Sequence, residues 1–243
     1  MTPIYLQLKE AVAKDIAQGV FQPGDLLPSE TEFMKTWSVS RITVRNAIKE
    51  LSREGLVYTM HGKGTFVAEQ KITNYLPSLT SLSHDVASKG LMPGSKVLTL
   101  ESLEADKEVA AKLHIAPSSP VIHFIRVTTA DNEPIAIGYT FISVAAIAPN
   151  QNAFTIASLE SKSFYGMLNQ IGVHLMGGIQ SISASAADDN QAEILKVKTG
   201  SPLIDSERVA YTYDRVCVEF TKMLARPDRI QWKTTLGPMK IEE

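Results

Sequence analysis

The chain contains 243 residues, of which 44% are hydrophobic and 21% charged, with a formal net charge of -2 at pH 7 and one cysteine. These values exclude a disordered chain, a collagen-like sequence and a disulfide scaffold, and no apolar run reaches the roughly 20 residues that a membrane-spanning helix needs. The length favours two domains, and the lone Cys217, with an N-terminus that lacks a signal pattern, predicts a reducing, cytoplasmic location.

Three helices are predicted at the beginning of the chain. Apolar residues recur on one helical face over residues 3–18 and again over residues 41–53. Between these segments, Ser29 stands three residues before Glu32, which is the capping-box pattern that opens a helix. This second helix is short and is followed by a tight break at residues 38–40.

The second and third helices have the lengths and the tight connection of a helix-turn-helix, whose second helix enters the major groove of DNA. If the apolar stripe of the third helix packs inward, Arg45, Lys49 and Arg53 turn outward. The segment 35–67 carries six basic and two acidic residues, a local charge of +4 within a chain of charge -2. Exposed basic faces are common on solvated helices, so this charge alone fits either an ordinary solvated surface or a DNA-binding one. The helix-turn-helix motif favours DNA binding.

A two-stranded wing is predicted after the helices, with strands at 56–60 and 65–67 around a flexible turn. Polar residues from 69 to 74 and then Pro77 predict a linker. We therefore expect a DNA-binding domain, a linker and a second domain at residues 1–68, 69–77 and 78–243.

The second domain contains an internal repeat with a constant offset of 82 residues. The matching pairs run from Ala110 and Ala192 to Val127 and Val209, and each copy reads as helix, Ser-Pro turn, strand, polar turn and strand. Two copies predict a pseudo-symmetric α+β sheet domain, since a stacked solenoid needs about three or more units.

A series of short motifs runs in order through the first 68 residues. They are Pro23-Gly24, Leu27-Pro28-Ser29-Glu30, Val39-Ser40-Arg41, Thr43-Val44-Arg45, Glu54-Gly55-Leu56 and Gly62-Lys63-Gly64-Thr65-Phe66-Val67. This segment resembles the winged-helix domain of the GntR family of bacterial transcription regulators. The resemblance implies that DNA is contacted by Ser40, Arg41, Thr43 and Arg45, and in the minor groove by the wing residues His61, Gly62 and Lys63. Many members carry an arginine where this chain has Thr31, which implies a missing contact or a different operator.

A second, more diffuse set of motifs continues to about residue 238. It comprises Leu79-Thr80-Ser81-Leu82, Gly90-Leu91-Met92-Pro93, the Ser-Pro-Val-Ile strand that leads to Arg126, and the second repeat ending in Glu219. These motifs resemble the UTRA effector-binding domain of the HutC-like subfamily, which implies a chorismate-lyase-like antiparallel sheet and a small-molecule effector such as a sugar phosphate or a carboxylate. The effector positions implied are Ser81, Leu82, Arg126, Thr128, Ser163, Tyr165 and Glu219.

Arg126 is the best candidate for an anion ligand, because a guanidinium can donate two hydrogen bonds to one carboxylate or phosphate. The alternative is a structural ion pair at a strand end. Where amino-sugar-phosphate sensors place a second arginine and a glutamate, this chain has Thr128 and Gly138, which favours a less charged anion. Glu219 either meets an effector hydroxyl or ammonium group or bridges Arg208 across the sheet.

The leading hypothesis is an effector-responsive repressor that binds a pseudo-palindromic operator as a homodimer and is released by a small anionic metabolite. A lyase-like enzyme and a ligand-independent DNA-binding protein are the alternatives. The enzyme is disfavoured because no acid-base pair or nucleophile constellation is visible. The histidines lack metal-ligand spacing, and neither a metal site nor a cofactor is predicted.

Overall fold

The computed structural model describes residues 3–60, 62–68, 71–76 and 80–234. The chain divides into two compact units, Met1–Lys71 and Ile72–Glu243. The fold class predicted from the sequence is confirmed: a helix-turn-helix unit with a wing precedes a mixed unit built on an antiparallel sheet. No helix within the described ranges is long and apolar enough to span a membrane.

The first unit consists of three helices and one hairpin. Its elements are α1 (Ile4–Ala17), α2 (Glu30–Trp37), α3 (Arg41–Arg53), β1 (Val57–Met60) and β2 (Gly64–Val67). The apolar stripes of α1 and α3 are buried against each other, with Leu8 and Leu51 each at most 1% exposed. The capping box of α2 forms as predicted, because Ser29 Oγ accepts from the backbone N–H of Glu32 and the Glu32 side chain accepts from that of Ser29.

The wing is tied to the helices by the segment that precedes α2. The Leu27 N–H donates to the Thr65 carbonyl at 2.8 Å and the Val67 N–H donates to the Asp25 carbonyl at 2.9 Å. Gly64 has φ +120°, and a Cβ there would lie 2.6 Å from a Leu26 methyl group. The positive φ is the ground that favours glycine here, because the exposed Leu26 side chain could move away from a Cβ.

The second unit is built on a six-stranded antiparallel sheet of order β4-β5-β6-β9-β8-β7. Its strands are β3 (Ile72–Leu76), β4 (Pro93–Glu104), β5 (Pro120–Ala130), β6 (Glu133–Ser143), β7 (Leu175–Ala186), β8 (Pro202–Thr212), β9 (Cys217–Ala225) and β10 (Ile230–Thr234). Its α-helices are α4 (Leu82–Ser88), α5 (Lys107–Leu113), α6 (Val144–Ile147), α7 (Ile156–Ser161), α8 (Phe164–Gln170) and α9 (Asp189–Leu195), and a 3-10 turn covers Asn150–Ala153.

The internal repeat is visible in these bounds. Adding 82 to the bounds of β4, α5 and β5 gives those of β7, α9 and β8 without any adjustment. In the hairpins, Arg126 pairs with Gly138, whereas Arg208 pairs with Thr221, so the offset on the return strand is 83. The second hairpin therefore holds one extra residue, and an approximate two-fold relation runs between β6 and β9.

The helices cover the sheet unequally. On one face, α5 and α9 pack over the two copies, burying Leu113 and Leu195. On the other face, α6, α7 and α8 form a core with the first copy, around Phe124 and Leu159. This second face carries the cavity described below.

One expectation differs from the structure. Residues 72–76, which fall in the predicted linker 69–77, form β3, the first strand of the second unit, and pair in parallel with β10. The polar residues of this segment are typical of a linker. The strand it pairs with lies 158 residues further along the chain, so no local pattern in the sequence indicates the pairing. Residues 69, 70 and 77 of the predicted linker lie outside the described ranges.

Candidate DNA interface and effector cavity

The N-terminus of α3 brings the predicted DNA-contacting side chains together. Ser40 caps the helix by accepting from the Thr43 N–H, and the two hydroxyl oxygens lie 2.9 Å apart. This cap fixes the first turn, from which Arg41 and Arg45 extend with side chains 64% and 69% exposed. Their Nε atoms lie 3.8 and 3.6 Å from the carboxylate of Glu30 on α2.

The rest of α3 separates an apolar face from a polar one. Val44, Ala47 and Leu51 are fully buried. The exposed arc contains Arg45, Asn46, Lys49 and Arg53. Ile42 is 68% exposed beside Arg41, a position that sequence reasoning missed. An apolar side chain at the start of a recognition helix can contact the methyl group of thymine.

The wing presents Gly62 and Lys63 at an exposed turn, closed by a hydrogen bond from the Lys63 N–H to the Met60 carbonyl. His61, also predicted to contact DNA, lies outside the described residues. Tyr58 and Phe66 stack across the hairpin with ring centroids 5.6 Å apart. Thr31 is exposed in the first turn of α2.

A cavity opens on the second unit, where the sheet meets α8 and the start of α4. It holds about 580 Å³ of empty space, part of it open to solvent. The lining residues are Thr80, Ser81, Leu82, Phe124, Arg126, Thr128, Gly138, Thr140, Phe164, Tyr165, Arg208, Thr221 and Met223. Five of the seven predicted effector positions are in this lining; Ser163 and Glu219 are not.

Arg126 faces the cavity as a cation with no paired anion among the described residues. Its Nη1 donates to the Leu159 carbonyl at 3.3 Å, and its guanidinium carbon lies 6.0 Å from the centre of the Phe124 ring. Within the described part of the chain, no carboxylate lies within 4 Å of it, which disfavours the structural ion pair. Burial lowers the pKa of Arg126, and the negative charge of Glu219 offsets part of that effect. A bound anion would supply the missing charge.

Glu219 lies behind the cavity wall and is fully buried. Its carboxylate accepts from the Tyr165 hydroxyl at 2.7 Å and from the Thr221 hydroxyl at 2.6 Å, and it lies 3.4 Å from Arg208 Nε. The bridge to Arg208 across the sheet is therefore the arrangement found, in place of direct exposure to an effector. Burial and the adjacent Glu219 together raise the pKa of Tyr165 well above its usual value, so the hydroxyl stays protonated as a donor.

Arg208 is a charged lining residue that the site prediction missed. Its guanidinium carbon lies 5.1 Å from the centre of the Tyr165 ring. Burial alone would lower the pKa of Arg208, but surrounding negative charge, chiefly that of Glu219, outweighs it and raises the pKa. The signal that could have found this residue is the repeat, since Arg208 follows Arg126 by 82 positions.

Hydroxyl groups complete the cavity and its rim. Ser163 Oγ donates to Ser81 Oγ at 3.0 Å, and each serine caps a helix, α8 and α4 respectively. Thr140 and Thr221 lie 2.9 Å apart. At Gly138 a Cβ would meet only the Arg126 carbonyl, at 3.8 Å, so the glycine leaves open space in the floor of the cavity.

Across the described ranges, no group of three or more His, Cys, Asp or Glu side chains could hold a metal ion.

Two family models match the chain. Residues 4–67 match the model described as bacterial regulatory proteins, gntR family, and residues 88–231 match the UTRA domain. The first match covers the helices and wing, and the second covers most of the sheet unit and ten of the thirteen residues that line the cavity.

Named proteins match along nearly the whole chain. The HTH-type transcriptional repressor NagR of Bacillus subtilis is 32% identical, covering 93% of this chain and 92% of that protein. The histidine utilization repressor of Pseudomonas putida is 28% identical, covering 83% and 79%. The crystal structure of PhnF from Mycobacterium smegmatis superposes with a TM-score of 0.82 at 26% identity, covering 94% of this chain and 99% of that one.

Proposed function

The chain belongs to the gntR family of bacterial regulatory proteins and carries a UTRA domain, and from this premise we propose that it binds a pseudo-palindromic operator as a homodimer and that a small anionic metabolite releases it. It is a transcriptional repressor of this type and not an enzyme, since both matched domains and the matched relatives are those of transcription regulators. The lyase-like alternative is therefore set aside.

For DNA reading, we assign base or phosphate contacts to the start of α3 and to the wing. Arg41 and Arg45 extend from the first turns of α3, where side chains of a recognition helix reach base edges. A guanidinium matches the two acceptors of guanine in the major groove. Ser40 and Thr43 lie in the same turn, and the exposed Lys63 provides positive charge at the wing.

For the effector, the observation that carries the proposal is Arg126, a partly buried guanidinium that lines a cavity and lacks a carboxylate partner among the described residues. Withdrawing an unpaired cation from water is costly, and an anionic ligand would offset that cost. Ser81, Thr128 and Tyr165 line the same space and can hydrogen-bond the rest of the molecule. A ligand-independent DNA-binding protein would have no need for this cavity.

For the homodimer, the supporting feature is β7, one edge of the six-stranded sheet. Its 12 residues contain no charged side chain and no proline, and Met176, Ile179 and Ile182 on it are 53%, 66% and 44% exposed. Edge strands of monomeric proteins usually carry lysine, proline or a short length that prevents pairing. The opposite edge, β4, carries Pro93, Lys96, Glu101 and Glu104. Two copies of β7 could pair antiparallel about a two-fold axis.

The effector claim is tested by screening organic acids and phosphates for thermal stabilisation. A ligand at 100 times its dissociation constant adds about 2.7 kcal/mol to the stability of the folded state. The best compound is then titrated into a complex of the repressor with an operator duplex selected from a random library, with fluorescence anisotropy as the readout. We expect the wild-type protein to release DNA and the Arg126→Gln variant to retain it.

The matched control is Arg215→Gln, which removes an arginine exposed at the tip of the β8–β9 hairpin. This variant should respond like the wild type. If Arg126→Gln bound the compound and released DNA as the wild type does, the effector site would have to lie elsewhere.

A further inference from the structure

The two halves of the sheet place their arginines on one face. Arg126 on β5 pairs with Gly138 on β6, which in turn pairs with Met223 on β9; Arg208 on β8 pairs with Thr221 on β9, which pairs with Thr140 on β6. Gly138 and Thr140 are two residues apart, as are Thr221 and Met223, so the two rows of paired residues lie side by side on one face of the sheet. Both guanidinium groups consequently line the same cavity.

The approximate symmetry fails in the charge around the two arginines. In the second copy, Ala210 pairs with Glu219; in the first copy, the equivalent pair is Thr128 with Ala136. The methyl group of Ala136 therefore stands where the second copy has a carboxylate. Arg208 has an ion-pair partner at 3.4 Å, and Arg126 has none in the described part of the chain.

Two guanidinium groups line the cavity, and one of them, Arg208, is paired with the buried carboxylate of Glu219. Asp85 on α4 is also buried and adds negative potential at Arg208, although it is not part of the lining. Glu219 acts on Arg126 as well, but only at longer range, so Arg126 keeps the less compensated charge. A ligand with one negative charge would compensate Arg126.

We propose that Glu219 is the residue that sets the charge class of the ligand, by holding Arg208 neutralised so that the cavity accepts a monoanion at Arg126 and disfavours dianions. The proposal rests on the function proposed above. Glu219 acts as a positioning residue, since it touches Arg208, Tyr165 and Thr221, which line the cavity, without lining it itself. A dianion would leave one excess charge in a poorly solvated site, where its cost is high.

The decisive variant is Glu219→Gln, which keeps the size of the side chain and one acceptor oxygen but removes the charge. The cavity then holds two uncompensated guanidinium groups. Removing a full negative charge a few ångströms from the ligand should raise affinity for a dianion by about tenfold or more.

The experiment measures binding of acetate and of sulfate to the full-length protein by titration calorimetry at pH 7 and constant ionic strength. The wild type should bind acetate more tightly than sulfate. Glu219→Gln should bind sulfate at least about tenfold more tightly than the wild type does, and the double variant Arg208→Gln with Glu219→Gln should lose that gain and still bind acetate. The ratio of the two affinities is the readout, because a purely structural defect would weaken both anions together.

Three results would overturn the proposal: a wild type that prefers sulfate, a folded Glu219→Gln variant without the gain in sulfate affinity, or a gain that persists in the double variant. If circular dichroism shows that Glu219→Gln fails to fold, the preference of the wild type for acetate or sulfate and the anion binding of the double variant still test the proposal. Failure of the proposed effector site would look different, since Arg126→Gln would then bind both anions as well as the wild type does.

Discussion

Glu30 lies between the two arginines that we assign to DNA reading. Its carboxylate is within 4 Å of Arg41 and Arg45, and all three side chains are largely exposed. Exposed ion pairs contribute little to stability, typically well under about 1 kcal/mol. The consequence of this contact is therefore positional: it limits the orientations of both guanidinium groups at the start of α3 before DNA binds.

Glu30→Gln should leave the thermal midpoint nearly unchanged and alter DNA binding. Without this negative charge, affinity for random duplex should rise, while the ratio of operator to random affinity should fall because the arginines are less ordered. Fluorescence anisotropy at one salt concentration measures both affinities. Glu50→Gln, which removes the partner of Arg53, serves as the control and should keep the wild-type ratio.

Cys217 should be unreactive in the folded protein at neutral pH. Burial, with a further contribution from Glu219, raises the pKa of its thiol to about 11, and the thiolate is the reactive form. Alkylation by iodoacetamide at pH 8 should be slow in the native state and fast in urea. Rapid labelling of the native protein at pH 8 would contradict both the burial and the raised pKa.

Some site residues could be predicted from the sequence and others could not. Arg126 is predicted as an anion ligand from the resemblance and lies in the cavity lining, and its repeat mate Arg208 could have been found through the offset of 82. The position of Glu219 behind the cavity wall depends on the strand register, which places it beside Ala210 and near Arg208. The sequence does not determine this register, so it leaves both uses of Glu219 open.

At the scale of elements, the two edges of the sheet are related by the repeat but differ in chemistry. β4 carries charges and a proline, whereas β7 is an uncharged strand with exposed isoleucines. β4 and β7 occupy equivalent positions in the two copies of the repeat and have the same length. Their difference in charge therefore marks β7 as the edge suited to pairing with a second copy.

Ile179→Lys on β7 should weaken the proposed homodimer, because a lysine on a paired edge introduces charge repulsion between two-fold-related copies. Sedimentation velocity across a range of concentrations measures the mass against the 26.6 kDa chain. Leu98→Lys is the matched control: Leu98 is 40% exposed on the other edge. An unchanged dimer in Ile179→Lys, or equal weakening by both variants, would place the interface elsewhere.

Ser29→Ala should destabilise the first unit by about 1 kcal/mol, because the capping box of α2 loses the acceptor for the Glu32 N–H. Urea denaturation followed by circular dichroism measures the change. Ser52→Ala, at an exposed position within α3, should show a change within about 0.5 kcal/mol. An equal effect in both variants would mean that the cap contributes nothing specific.

The helices of the first unit are well predicted because their signals are local: an apolar stripe, a capping serine and a glycine stop lie within a few residues of each other. In the second unit, β5, β6, β8 and β9 are predicted through the repeat, whereas β4 and β7 lie before the repeated segments and are not predicted. β3 was missed because a parallel strand pairs with a distant segment, and Ile72–Leu76 carries neither a turn signal nor a long alternation.

At the scale of the whole molecule, the proposed release of DNA is a coupling between two binding events. If an anion in the cavity weakens operator binding by a given factor, operator DNA must weaken anion binding by the same factor. Coupling of this kind requires that the ligand bind the two states of the repressor with different affinities.

We expect the dissociation constant of the screened effector, measured by calorimetry, to rise in the presence of saturating operator by the factor seen in the release experiment. A duplex of scrambled sequence at the same concentration should change it less. Equal effector affinity with and without operator would show that the two sites are independent.

The ladder between β3 and β10 affects the order in which the protein can fold during synthesis. β3 directly follows the first unit, yet its paired strand is 158 positions later, so β10 must be translated before the two can meet. The helices and wing can complete their local contacts long before that moment. The strand that follows the first unit therefore stays unpaired until every strand of the six-stranded sheet has been made.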